Sequence, residues 1–390
     1  MKNIILSSLY LISSFLITEE ELLPELGNAS SSAISIASEY KLGRLYMAQL
    51  RRSLPLYDDP ITQDYTEHLI YRLGEYSQLD DRRFDITLIN LRSVNAFAAP
   101  GGVIGVNGGL IYHAENEGEF ASVLSHELAH LSQRHFARRI QRQKDRSMAN
   151  ALLILASIAV AAAATSPEAI IAGQQAINQQ SLAYSRGNEL EADRVGFSTL
   201  VKAGFNPQSM ADMFGILQNL SRLSGSNELE FLRSHPLTKN RISESQARAS
   251  ELKGNNYKNS LEYTLIRNRS LIHFTKQTRL SNTQFKKNLR IAQSEKEEIS
   301  AYYGLCLSKS KNGEHEEALM YARKALSLDK ENLLLQMALL EVHINADNLL
   351  ESESLVKNLL EVNPGNYPLT VFYSKILTAA EKFDQARSEE

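Results

Sequence analysis

The sequence predicts a mainly α fold of the α+β class: a helical domain built around a small β-sheet, followed by an α-solenoid. Three observations carry this. Ser125-His126-Glu127-Leu128-Ala129-His130 sits within apolar residues at helical spacing (Phe120, Val123, Leu124, Leu128 and Leu131). Just ahead of it, two short apolar segments meet at Pro100-Gly101-Gly102. From about residue 285 onward the chain is helical and repeats with an offset of 34 residues.

The elements follow in chain order. Residues 1–18 (MKNIILSSLYLISSFLIT) carry one positive charge and an apolar run, followed by acids, and are expected to be a signal peptide; an uncleaved anchor or a buried helix is the alternative. A leader follows to about residue 32. Helices are expected over 36–54 and 61–76, separated by Pro55, Asp59 and Pro60, and then a strand over 84–89. The stretch 94–109 reads as two strands joined at Pro-Gly-Gly, with glycines serving tight turns and close backbone approach. A phosphate cradle does not fit, because no strand, Gly-loop and helix with Lys-Ser/Thr follows. A strand at this point is well placed to pair with an extended peptide.

The motif helix starts at Asn116 or Glu117, where acidic residues suit the N-terminal end. The uncharged stretch 148–165 is expected to be a buried or interfacial hairpin helix, with a membrane span as the alternative. Asn188-Glu189-Leu190-Glu191-Ala192-Asp193 opens or continues a helix to about Ala203, stopped by Gly204, and Asn206-Pro207 starts another. A loop over 225–230 leads to Ser234-His235-Pro236 and a helix through Arg241. Further on, Leu326 aligns with Leu360, Lys330 with Pro364 and Ser352 with Ala386, the period of tetratricopeptide repeats; an ordinary helical bundle is the alternative. The expected domains are residues 19–255, linking helices over 256–295, and repeats over 296–390.

Composition narrows the function. With 390 residues and 43% hydrophobic content, two or three domains with a real core are expected. A net charge of −3 argues against a nucleic-acid partner. The basic run Arg134, Arg138, Arg139, Arg142, Lys144 and Arg146 reads as a solvated helix face. Cys306 is the single cysteine, which excludes an internal disulfide and a cysteine-ligated metal.

The chemistry therefore rests on histidine and carboxylate. His126 and His130, four apart on a helix, present two nitrogens on one side and can grip one Zn2+ ion. Glu127 follows at once and can take a proton from a water that the metal has acidified. The metzincin arrangement is excluded, because the positions for its third histidine and its glycine hold Phe136 and Gln133, and His135 falls one residue short. A thermolysin-like glutamate is also missing, since Asp145 is the only acid between His130 and Glu168. The acidic cluster at 189–193 is the natural source of a third ligand.

Four motifs in order resemble the integral-membrane and periplasmic zinc metallopeptidase family that includes the CAAX prenyl proteases and HtpX. They are Asn95-Ala96-Phe97-Ala98 with Pro100-Gly101-Gly102; Ser125 to His130 with Gln133-Arg134-His135; Asn188 to Asp193; and Ser234-His235-Pro236. The resemblance covers about residues 36–270 and implies a zincin-like metallopeptidase domain. It makes Glu189 the zinc glutamate, first residue of Glu-x-x-Ala-Asp. Asp193, one turn later, is suited to orienting a ligand histidine, whereas Glu191 faces elsewhere. His235 matches a histidine placed near the metal, as a fourth ligand holding the enzyme latent, as an oxyanion helper, or as an ordinary loop histidine.

The resemblance further implies a zinc endopeptidase of the bacterial periplasm acting in outer-membrane protein assembly and quality control. Its expected partners are unfolded outer-membrane proteins and, through the repeats, the β-barrel assembly machinery, with peripheral membrane association. The alternative is a repeat-based chaperone with latent proteolysis.

Overall fold

Helix α1 (Ile36–Ser53) begins where the Ser35 side chain accepts the Ser38 N–H, and gives way to extended backbone at Leu54, just before Pro55. Asp59 caps α2 (Pro60–Glu75), whose proline occupies the first turn, where a missing N–H breaks no helical hydrogen bond. The computed structural model describes residues 35–142, 185–223, 229–252, 257 and 259–380, all within a compact unit spanning residues 33–390. The expected signal peptide over 1–18, the apolar stretch 148–165 and the Ala386 end of the repeat pattern lie outside the described residues. Among the described residues, no helix is long and apolar enough to cross a membrane.

Strands β1 (Asp85–Ile89), β2 (Ala96–Ala99) and β3 (Val103–Asn107) form one sheet in the order β1-β3-β2. β3 runs parallel to β1 and antiparallel to β2. The β2–β3 turn needs its glycines. Gly101 and Gly102 have φ of 74° and 77°, and a Cβ on Gly102 would collide with the Arg83 carbonyl. β2 is an edge strand. Asn107 N–H donates to Asn95 O, so paired positions alternate along β2 and the backbone of Ala96 and Ala98 is turned away from β3.

The sheet is apolar on both faces because both are covered. On one, Phe97, Ala99 and Val103 pack with Leu42, Tyr46, Met47 and Leu50 of α1. On the other, Ile86, Leu88, Ala96, Ile104 and Val106 join Ile70 and Leu73 of α2. After the short α3 (Gly108–His113), α4 (Glu117–Ser132) opens with a capping box between Asn116 and Glu119. It is buried along almost its whole length. Around it lie α5 (His135–Arg142), α6 (Arg186–Lys202), α7 (Gln208–Leu223), α8 (Glu230–Ser234) and α9 (Lys239–Glu251). Several boundaries differ from the sequence reading, and Gly108-Gly109, read with the strands, begin α3. Glu230, placed in a loop, begins α8, and the helix expected to end at Arg241 runs to Glu251 because Thr238 caps it and Ser245 and Ala249 are buried farther along.

Helices α10 (Leu261–Phe274), α11 (Thr278–Ile291), α12 (Glu295–Lys311), α13 (His315–Leu328), α14 (Leu333–Asn345), α15 (Leu349–Val362) and α16 (Tyr367–Ala379) follow among the described residues. The starts of α13 and α15, and those of α14 and α16, are 34 residues apart. The turns before α13 and α15 keep the same offset, with Gly313 and Asp347 both at positive φ. Leu340, Val356, Leu369 and Phe372 share one core with α2 and α4. At this junction the buried Arg269 donates to both Asp59 oxygens, to Tyr303 Oη and to Glu341, tying the cap of α2 to the repeating helices.

Candidate metal centre

α4 and α6 cross at a glycine. A Cβ on Gly196 would lie 3.0 Å from His126 N and Ser125 O, so a larger residue would push the helices apart. The close crossing sets Glu189 and Asp193, one turn apart on α6, against His126 and His130, one turn apart on α4. His235, at the C-terminal end of α8, closes the site from a third side.

Four donors converge there. The Nε2 atoms of His126 and His130 are 3.0 Å apart. Glu189 Oε1 lies 3.3 Å from His130 Nε2, and Oε2 lies 3.5 Å from His126 Nε2. His235 Nδ1 is 3.4 Å from His126 Nε2 and 3.2 Å from Glu189 Oε1. All four side chains are buried, and one ligand atom from each lies within 4.8 Å of the others. Metal–ligand bonds of ~2.0–2.2 Å arranged tetrahedrally separate ligand atoms by about 3.3–3.6 Å. The observed spacings fit a single small divalent ion held by His126, His130, Glu189 and His235.

Each histidine of α4 is backed by a second group. His126 Nδ1 lies 3.0 Å from Asp193 Oδ1. Asp193 accepts Arg241 Nε at 2.6 Å and Nη2 at 2.8 Å, and Arg241 Nη1 reaches Glu189 Oε2 at 2.8 Å and the Pro236 carbonyl at 3.0 Å. One buried guanidinium thus holds two acids and the backbone beside His235. His130 Nδ1 is instead 2.9 Å from His135 Nδ1, and His135 Nε2 is 3.1 Å from Glu191 Oε2, which Arg138 also grips. His135 reaches this position because Arg134 takes φ 49° after α4 ends, and the Arg134 guanidinium meets Glu39 at 3.1 Å. That backbone conformation costs a non-glycine residue on the order of 1 kcal/mol.

The electrostatics follow the partners. Burial works against a charged His126, but Asp193 and Glu189 outweigh it and raise its pKa to about 9. Burial dominates at His130 and holds its pKa well below the ordinary value. Burial opposes ionisation of Glu189, yet His235, His126 and His130 hold its carboxyl well below the usual range. Burial pushes the Glu127 carboxyl up, only partly offset by His235 and His126. Among the described residues, neither Glu127 oxygen has a well-formed hydrogen bond, although Oε1 lies 3.5 Å from His235 Nε2 and the backbone of Ala98 eases its charge. A buried carboxylate so poorly satisfied is costly, and groups of this kind cluster at functional sites.

The model of peptidase family M48 matches residues 60–249, from the start of α2 into α9. The chain is 37% identical over 256 residues to a putative β-barrel assembly-enhancing protease of Vibrio cholerae, covering 65% of this chain and 52% of that protein. With the β-barrel assembly-enhancing protease of Escherichia coli K12 it shares 30% identity over 353 residues, 88% of this chain and 71% of the other. The chain belongs to peptidase family M48. A mitochondrial metalloendopeptidase of Arabidopsis thaliana is also similar, at 30% identity over 165 residues, 42% of this chain and 31% of that protein. The chain spans about half the length of the Vibrio cholerae relative and of a similar Yersinia pestis protein, 52% and 53% respectively.

In this M48 chain the structure brings His126, His130, Glu189 and His235 to one point, with Asp193 beside His126 and Glu127 beside His235. Glu191 is turned away from the cluster, towards His135 and Arg138. Sequence reasoning missed Arg241, which was only a basic residue in a helix after Pro236. It also missed the work of His135 and the pairing of the exposed Arg138 with Glu191. The signal for His135 was Gln133-Arg134-His135 directly after the motif, but nothing local announces the reversal at Arg134.

Proposed function

We propose that this chain is a zinc-dependent endopeptidase of the bacterial periplasm that cleaves unfolded or misfolded β-barrel precursors during outer-membrane protein assembly. The observation that carries the reading is Glu127, a buried and poorly satisfied carboxylate, next to four converging ligand atoms. Nitrogen and carboxylate donors without a thiolate suit zinc. Zinc held by His126, His130 and Glu189 would acidify water and polarise a peptide carbonyl. Glu127 accepts the proton of the attacking water and passes it to the leaving amine. Asp193 and Arg241 keep His126 and Glu189 aimed. The outward backbone of Ala96 and Ala98 on the edge strand offers an extended substrate main-chain hydrogen bonds. The names of the relatives, β-barrel assembly-enhancing proteases, support a proteolytic role in β-barrel assembly. The helices repeating from α12 to α16 are read as tetratricopeptide-like and as the surface that meets clients and the β-barrel assembly machinery.

His235 is read as a latch. Its Nδ1, 3.4 Å from His126 Nε2 and 3.2 Å from Glu189 Oε1, would serve as a fourth ligand and so keep out the water that hydrolysis needs. Cleavage of an unfolded β-barrel precursor, with zinc content measured in parallel, tests both assignments. Glu127→Gln is expected to retain zinc and to lose about three orders of magnitude or more in rate; cleavage as fast as the parent's would refute the mechanism. His235→Ala is expected to cleave faster with zinc retained, and unchanged or slower turnover rules out the latch. If the repeats also act as a chaperone, suppression of precursor aggregation persists in Glu127→Gln.

A further inference from the structure

We propose that His135 is a positioning residue for His130, accepting the hydrogen on His130 Nδ1 and relaying the hold of the Glu191–Arg138 pair on the protein surface. The inference rests on the metal-centre reading above and deepens it.

A neutral imidazole has one N–H and one bare nitrogen. If His130 offers the Nε2 lone pair to a metal ion, its hydrogen is on Nδ1. The atom facing that hydrogen, at 2.9 Å, is His135 Nδ1, which must then be an acceptor. The His135 hydrogen is therefore on Nε2, which points at Glu191 Oε2 at 3.1 Å. An ionised carboxylate can only accept, and Glu191 also receives Arg138 Nη1 at 2.9 Å and Nη2 at 3.3 Å. Along the whole chain every donor meets an acceptor. Reversing it fails at both ends. A hydrogen on His135 Nδ1 would leave a bare His135 Nε2 against the Glu191 carboxylate, and would put the His130 hydrogen on Nε2, the atom 3.0 Å from His126 Nε2.

The placement is built rather than incidental. Arg134 adopts a left-handed backbone and is pinned by Glu39, so α5 starts at His135 with its imidazole fully buried over the last turn of α4. Glu191 lies two residues from Glu189 on α6. One helix therefore supplies a cluster carboxylate from one face and the far end of the relay from another.

The test is the affinity of the full chain for Zn2+, measured by competition with a chromophoric chelator. His135→Phe keeps the ring volume and removes both nitrogens. It is expected to weaken zinc binding by about 10- to 100-fold, the usual effect of losing a partner behind a ligand. Glu191→Ala is expected to weaken it by a few-fold, and the double variant to bind no more weakly than His135→Phe alone, because a cut relay has nothing left to transmit. An affinity for His135→Phe within about twofold of the parent's overturns the inference. So does an additive double variant. Should His135→Phe fold poorly, the surface variant Glu191→Ala decides, and unchanged zinc affinity there overturns the relay. A merely structural role for His135 would lower the melting temperature of the metal-free protein and leave the affinity of the folded protein intact. Parent protein that binds no zinc would overturn the metal centre itself, a result distinct from the others.

Discussion

His126 and His130 sit one turn apart on the same helix and point at the same place, yet they are supported differently. Behind His126 stands a carboxylate, Asp193, which is buried and itself gripped by the buried Arg241. Behind His130 stands another imidazole, and the carboxylate comes one residue later, at the surface, where Glu191 and Arg138 are about two-fifths exposed. Breaking a buried ion pair strands a charge in a low dielectric, whereas water screens a loss at an exposed pair. The centre is thus anchored firmly on one side and coupled to solvent on the other.

Removing the buried anchor is the strongest way to break this comparison. Asp193→Ala leaves Arg241 with one carboxylate fewer and is expected to cost about 3–5 kcal/mol in urea unfolding of the metal-free protein. A cost near that of an exposed pair would erase the distinction. Next in size is Gly196→Ala. Its added methyl presses on the His126 backbone where α4 and α6 cross, so a loss of about 1–3 kcal/mol is expected, with weaker zinc binding. If zinc affinity holds, the supports rather than the crossing set the geometry.

Titration sharpens the contrast. In metal-free protein followed by imidazole NMR, His126 should keep its proton until about pH 9. His130 should stay neutral well below the pH at which a free imidazole takes up its proton. The stability that His126 contributes is therefore fully present below about pH 6.5 and is lost as pH rises through about 9. The pH dependence of His130 runs the other way: its contribution is present above the ordinary imidazole value and is lost as pH falls through its depressed folded value. Asp193→Asn should bring His126 down, and an unmoved His126 would mean that Glu189 alone sustains the shift. The smallest effect is expected from Arg138→Ala, under about 1 kcal/mol in stability and shrinking with added salt. A larger loss, insensitive to salt, would show the outer pair to be as firmly built in as the inner one.

Much of the centre was legible because its information is local. His126, Glu127 and His130 are fixed relative to one another by a single helical turn, as are Glu189 and Asp193, and the opposite facing of Glu191 follows from 100° per residue. The strands around Pro100-Gly101-Gly102, the start of the motif helix at Asn116 and the break at Asp59-Pro60 were readable for the same reason: each is decided within a few residues. The 34-residue offset was legible as a period that the helix starts keep.

The sequence by itself thus determined the helix that carries His126, Glu127 and His130, the acid cluster that faces it and the order of the elements. Only the tertiary structure decided that Gly196 lets α6 approach α4, that Arg241 from a later helix holds Asp193, Glu189 and the backbone beside His235 together, and that Arg134 turns His135 back onto His130. These depend on contacts between residues about 50 apart or more, or on one strained backbone angle. Periodicity along a helix says which side chains share a face, but not which distant guanidinium or imidazole packing brings against that face.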